Sequence, residues 1–184
     1  MMEATNAALD SVDSKPPNFC RGVRRRIKRR VFLATQWARG RLNRRYCTIC
    51  DRDVWFHETG PWLMDQYLCS RCGSIPRNHA ILKVLNDHFP EWRQLQIHES
   101  SPGGASSAKI KRDCGGYIAS QFFADVPRGK SKNGQRSEDL EALTFADESF
   151  DLVITQDVFE HVLQPAKAFA EIARTLKPGA HTFT

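Results

Sequence analysis

Two CxxC pairs, Cys47-x2-Cys50 and Cys69-x2-Cys72, stand 18 residues apart, a spacing expected of a four-cysteine zinc site. Each pair sets two thiolates on one tight turn, the segment between them folds back as a hairpin, and tetrahedral Zn2+ closes the unit. Four thiolates leave no open coordination position, so the zinc expected here is structural. Trp55, Phe56, Trp62 and Tyr67 lie between the pairs and give such a ribbon a small apolar face. His57 and His79 could also ligate, but four cysteines already fill the site. The competing reading is a pair of disulfides in a secreted protein. The first residues, MMEATNAALDSVDSKPP, carry three acids and no apolar core segment, so a signal peptide is not expected. Cys20 and Cys114 read as ordinary thiols.

The elements that must position this cluster follow from length and charge. The chain has 184 residues, enough for one ordinary domain and a small appendage. It contains no run of eighteen or more apolar residues, so no membrane-spanning helix is expected. The net charge of +6 hides an uneven distribution: residues 1 to 45 hold 12 basic and 3 acidic side chains, and the remainder is net acidic. Within RGVRRRIKRRVFLATQWARGRLNRRY, Val23, Ile27, Val31, Ala34 and Ala38 share one helical stripe, with Leu33 and Trp37 near it. Such a basic helix over 21–46 could lie on nucleic acid, on an anionic surface, or on its own domain. After the second CxxC pair, a helix is expected from Asn78 to His88, with Ile81, Leu82, Val84 and Leu85 as its apolar positions.

Farther on, LTFADESFDLVITQDVFEH covers Leu143 to His161. Leu152 to Thr155 read as a buried strand after an acid-rich turn, in which Asp151 stabilises the strand entry. Gln164-Pro165 opens a helix whose apolar spacing is Ala166, Phe169, Ala170, Ala173 and Leu176, and Lys177-Pro178-Gly179 stops it before a new extended start at His181. A strand, a polar loop at its C-terminal end, a helix and another strand make half of a doubly wound sheet, which binds ligands at strand C-terminal ends.

The run LEALTFADESFDLVITQDVFEHVLQPAKAFAEIARTLKPGA closely resembles the fourth-strand region of class I S-adenosylmethionine-dependent methyltransferases, of the type 11 kind. There an LPF-like tripeptide, a DxSFD turn, an apolar strand, an EH pair and an RxLKPGG ending recur together. CxxCGSxxR followed by a helix is similar to a subgroup with an N-terminal zinc ribbon, which extends the resemblance to nearly the whole chain after Tyr46. The resemblance implies S-adenosylmethionine as cofactor. It implies a first strand at Leu95 to His98, with Gln96 in the usual acidic place and His98, Ser100 and Pro102 where glycines would stand. Glu99 then supplies a displaced carboxylate, Ser100 and Ser101 donate to the methionine carboxylate, and Gly103-Gly104 loosens the loop late. A second strand over Tyr117 to Ala119 ends in Ser120 at the ribose position. Ser131 to Asn133 form a polar loop before a third strand near Gly134 to Ser137. Asp139 accepts from the adenine amino group, and Leu140 offers its backbone to the ring. Thr155, Gln156 and Asp157 line the sulfonium position; His161, with Glu160, would take a proton from an acceptor that must lose one, the other reading of the EH pair being a helix-start and loop-fixing feature.

The fold class expected is therefore α/β, a partial Rossmann-like methyltransferase sheet preceded by a small zinc ribbon and a basic helix. The divisions are a disordered tail over 1–20, the helix over 21–46, the ribbon over 47–77 and the methyltransferase-like domain over 78–184. The resemblance implies two further strands beyond Thr184, so the sequence is expected to be C-terminally truncated, a fragment of a longer protein; otherwise another chain or the N-terminal helix covers the open sheet edge, or catalysis has been lost. The leading function is methyl transfer to a small molecule, a sugar or RNA. The alternative is a noncatalytic zinc-ribbon protein on a degenerate methyltransferase fold, binding nucleic acid through residues 21–45. A cytoplasmic location is expected.

Overall fold

A computed structural model describes residue 28 and residues 30–183. The expected tail over 1–20, Cys20, and the stripe positions Val23 and Ile27 lie outside the described residues. The first described element is a helix, α1, through residues 30–38. It closes on Gly40, whose φ of +65° takes the left-handed turn open to glycine. There Gly40 N–H donates to Trp37 O and Arg41 N–H to Gln36 O, both at 3.0 Å, the paired bonds of a Schellman stop. The helix expected over 21–46 thus ends early, and residues 42–47 are a strand.

That strand, β1 (Leu42–Cys47), forms a three-stranded sheet with β2 (Arg52–Glu58) and β3 (Tyr67–Cys69) in the order β1-β2-β3. β2 runs antiparallel to β3, with Phe56 opposite Cys69. A single-turn helix, α2 (Leu63–Gln66), precedes β3, and α3 (Pro76–His88) leaves the ribbon directly. Proline at the first helical position suits α3, because its missing N–H has no partner there in any case. Asn78, Ile81, Leu82 and Leu85 are its buried positions. Of the four aromatics between the cysteine pairs, Phe56 and Tyr67 stack at 5.3 Å, whereas Trp55 and Trp62 are exposed.

The larger sheet has six strands in the order β6-β7-β5-β4-β8-β9. They are β4 (Ile97–Ser100), β5 (Tyr117–Gln121), β6 (Ser131–Lys132), β7 (Gln135–Ser137), β8 (Phe150–Thr155) and β9 (Leu176–Phe183). All neighbours are parallel except the β6–β7 hairpin. Helices α4 (Gly104–Asp113) and α5 (Pro165–Thr175) are the long connections. The sheet is α/β and mostly parallel, as the strand–loop–helix pattern implies. Among the described residues, no helix is long and apolar enough to cross a membrane.

Several boundaries differ from the expectation for physical reasons. The first strand begins two residues late, because Asp151 Oδ2 accepts Gln96 N–H at 2.7 Å and Asp151 Oδ1 accepts from Lys177 Nζ at 2.8 Å. Gln96 therefore precedes the strand and Asp151 pins its entry. Ser131 and Lys132, expected as loop, pair with β7 across Asn133-Gly134, both of which have positive φ, as a tight hairpin turn requires. The stripe Ala166, Phe169, Ala170 and Ala173 is the exposed side of α5, and Ala168, Ile172 and Thr175 are buried. Lys177-Pro178-Gly179 lies inside β9, where the pairing with β8 shifts register.

Alternation along the strands sends Leu152 and Ile154 to one face and Val153 and Thr155 to the other. The first pair joins one continuous core with Phe56, Cys69, Leu82, Leu85, Trp92, Ile97 and Ile110, so the ribbon, α3, α4 and the sheet share one apolar interior. Val153 joins Leu140, Leu143, Phe150, Ala168 and Ile172 beneath α5. Burying a side chain of this size contributes roughly 1.5–3 kcal/mol.

Candidate metal centre and cofactor cleft

The two CxxC turns converge. All four sulfurs of Cys47, Cys50, Cys69 and Cys72 lie within 4.8 Å of one another, with Cys47 to Cys72 at 3.8 Å and Cys50 to Cys69 at 3.9 Å. Four sulfurs about 2.3 Å from a central zinc are about 3.8 Å apart, so the donor set fits the ion. Backbone N–H groups of Cys50, Arg71 and Cys72 point at the sulfurs of Cys47 and Cys69 at 3.3–3.5 Å, as turns built to hold thiolates do. Burial pushes the Cys50 and Cys69 thiols up, so a cation is what would stabilise the thiolate set. Cys72 is also partly desolvated, but hydrogen bonds with Ser74, Cys50 and Cys69 outweigh this and draw it to about 7. His79 is not a ligand: its Nε2 lies 2.9 Å from Ser74 Oγ and its Nδ1 2.8 Å from Thr48 Oγ1. It fixes a hydroxyl 3.1 Å from Cys72 Sγ, a supporting role common around metal ligands. Cys114 is buried and donates to Leu95 O.

At the C-terminal ends of β4, β5 and β7 a cleft of about 500 Å³ opens beside the turn after β8. Strand order reverses around β4, which places the cleft at the sheet's switch point. Ser100, Ser101, Ser120, Asp139, Leu140 and His161 all line it. Ser101 has a φ of 53° and donates its N–H to Ser120 O at 2.7 Å, which ties the first loop to β5. Asp139 Oδ1 accepts Glu141 N–H at 2.9 Å, leaving its other oxygen for an amino donor. The Ser100 and Thr155 hydroxyls sit opposite each other on β4 and β8, are buried, and have no partner among the described residues. Unpaired buried hydroxyls at strand ends are costly unless a ligand or water satisfies them, which fits a polar molecule bound there.

Three named residues fall elsewhere. Glu99 faces the α4 side, buried, with Ser107 Oγ at 2.8 Å and Tyr117 OH donating at 2.5 Å. Burial raises its carboxyl pKa against these two hydrogen bonds. Gln156 lines a smaller neighbouring cavity with Arg77, Ser101 and Asp157. Glu160 does not line the cleft; it is exposed, 3.4 Å from His161 Nε2. His98, aligned with a glycine position, is instead a core residue between Phe145 and Phe150. Its Nε2 lies 2.8 Å from Ser120 Oγ, and burial lowers its pKa to about 4.

Other lining residues escaped the sequence reading. Gln121 and Phe122 line the cleft because β5 runs two residues beyond its expected end. Glu138 also lines it, held by Arg136 and by Thr144 N–H. Glu141 Oε1 accepts the N–H groups of Leu163 and Gln164 and so fixes the entry to α5. Arg77 carries the one available signal, since it stands in the CxxCGSxxR run.

Residues 105–184 match the family model described as Methyltransferase domain. Similar solved structures include a candidate methyltransferase of Bacillus halodurans, at 21% identity, 46% coverage of this chain, 41% of that one and TM-score 0.37. A candidate S-adenosylmethionine-dependent methyltransferase of Methanococcus maripaludis matches at 15% identity, with coverages of 57% and 60% and TM-score 0.37. A chain from the complex between the Haloferax volcanii Trm112 methyltransferase activator and a candidate methyltransferase matches at 18% identity, with coverages of 58% and 54% and TM-score 0.36. This chain thus spans 41% to 60% of the length of those chains. No curated protein sequence matches it.

Proposed function

We propose that the protein is an S-adenosylmethionine-dependent methyltransferase whose four-cysteine ribbon holds structural zinc. The observation that carries the reading is the cleft, which gathers Ser100, Ser101, Ser120, Asp139, Leu140 and His161 from four separate segments of the chain. The bound cofactor would supply an electrophilic methyl group on a sulfonium, displaced in line by the acceptor. Asp139 would accept the adenine amino hydrogen, Leu140 would cover the ring, and Ser120 with Gln121 would meet the ribose hydroxyls. Ser100 and Ser101 would line the path to the methionine part. His161, exposed at the rim beside Glu160, would take a proton from an acceptor that carries one. The acceptor is a small molecule, a sugar or RNA, and the basic residues before Cys47 favour RNA.

Calorimetric titration of S-adenosylmethionine into the zinc-loaded chain tests this, with Asp139→Ala as control. Binding in the micromolar range, weakened about tenfold by the substitution, is expected. A folded sample that binds nothing overturns the enzyme reading in favour of a noncatalytic zinc-ribbon protein.

A further inference from the structure

Arg77 opens α3 five residues after Cys72 and belongs to the ribbon by sequence, yet its guanidinium sits at the cofactor end of the sheet. One nitrogen, Nη2, donates to Asp65 Oδ1 of the ribbon helix α2 at 2.6 Å. The other, Nη1, donates to Asp157 Oδ2, just beyond β8. Asp157 holds a φ of 52° there, outside the region most residues prefer. Arg77, Asn78, Ser101, Gly104, Gln156 and Asp157 line a cavity of about 260 Å³. Ser101 also lines the larger cleft, so an occupant of that cleft extended past Ser101 enters the cavity. It meets a planar cation first and a carboxylate beside it. An α-amino acid end carries the complementary pair, a carboxylate and an ammonium.

The ribbon side of this cavity is held firmly. Asn78 Nδ2 donates to Ser106 Oγ at 3.2 Å, and its Oδ1 accepts Ile75 N–H at 3.1 Å. Gly104, at φ +74°, leaves no room for a Cβ, which would fall 2.9 Å from Asn78 Nδ2. Lys109 of α4, itself buried, pairs with Asp51 in the first CxxC turn at 2.5 Å. The Arg77–Asp157 pair, by contrast, is substantially exposed, and such pairs exchange partners at little cost.

On the methyltransferase reading, we propose that Arg77 is a cofactor-binding residue lent by the ribbon. It passes from Asp157 to the methionine carboxylate of S-adenosylmethionine and leaves Asp157 to accept from the cofactor's ammonium. The ribbon is then one wall of the cofactor site.

The test is calorimetric titration of three ligands into the full zinc-loaded chain: S-adenosylmethionine, its decarboxylated analogue, and methylthioadenosine, which lacks both charged groups. Arg77→Met is expected to weaken S-adenosylmethionine by about 10- to 100-fold and leave the other two within about twofold, with Arg77→Lys restoring part of the loss. Asp157→Asn is expected to weaken S-adenosylmethionine and the decarboxylated analogue, and to spare methylthioadenosine. If Arg77→Met weakens all three alike, or none, the proposal is overturned while the methyltransferase reading stands. If folded wild-type protein binds none of the three, both fall. Methylthioadenosine separates the cases because its contacts do not involve Arg77.

Discussion

The two faces of the large sheet are covered by unequal layers. One carries the ribbon, α3 and α4 over a continuous apolar interior that runs from Phe56 and Cys69 to Ile154. The other carries α5 over a smaller cluster around Phe150 and Ile172. Two adjacent residues of β4 register the contrast. Glu99 faces the first layer, where burial raises its pKa, and His98 faces the second, where burial lowers its pKa. The thick layer fixes the sheet, and the thin one leaves room at its strand ends for a cleft.

Removing the zinc proposed for the four-cysteine cluster should break the comparison most severely. Because Cys47 and Cys69 belong to the same interior as Leu152 and Ile154, chelation should unfold the large sheet as well as the ribbon. Structural zinc contributes on the order of 10 kcal/mol, so circular dichroism should show one transition, lost with metal. A ribbon that melts alone while the sheet persists would show two independent units.

Core truncations sharpen the contrast. Leu82→Ala should cost about 4 kcal/mol and Ile172→Ala about 2–3 kcal/mol, since the thinner layer beneath α5 can collapse into the space left behind. Urea unfolding midpoints at constant slope measure both, and equal losses would argue against unequal layers.

Acid should act through His98. Its folded pKa of about 4 lies below the ordinary 6.5, so the unfolded chain takes up a proton that the fold refuses. The stabilising contribution is complete above about pH 6.5 and is lost as pH falls toward 4, amounting to about 3 kcal/mol. Glu99 has the opposite sign: its raised pKa favours the fold at low pH and loses that contribution as pH rises through the carboxyl range. His98→Gln should flatten the acid limb of a stability–pH curve, and Glu99→Gln the other.

The smallest effect belongs to the exposed α3 pair Lys83–Asp87. Lys83→Ala should change stability by less than about 0.5 kcal/mol, giving a thermal midpoint near that of the parent.

Much of this was legible where local chemistry and tertiary packing agree. The cysteine spacing marked the cluster and Leu152 to Thr155 the central strand, whereas Ser100, Ser101, Ser120 and Asp139 were named by the family resemblance and line one cleft. The β4 register was obscured because a strand buried along its whole length carries His98, Glu99 and Ser100, polar residues that read as loop. The α5 face was misread because alanines at helical spacing carry no direction, while Ile172 and the loop-clasping Arg174 do. Arg174 donates to the carbonyls of Leu143 and Phe145 and to Asp147, and so turns its own side of the helix inward. Arg77 reaches Asp157 across 80 positions of sequence, a distance that no local pattern spans.

Trp92, after α3, is fully buried and donates from Nε1 to Asn86 Oδ1 at 3.0 Å, whereas Trp37, Trp55 and Trp62 are exposed. The protein therefore carries its own pair of optical signals. Blue-shifted, iodide-resistant fluorescence will come from the shared interior, and quenchable red emission from the other three. Trp62 lies three residues before Asp65, the partner of Arg77, so ligand entry at that end should alter the red component while the blue one holds steady.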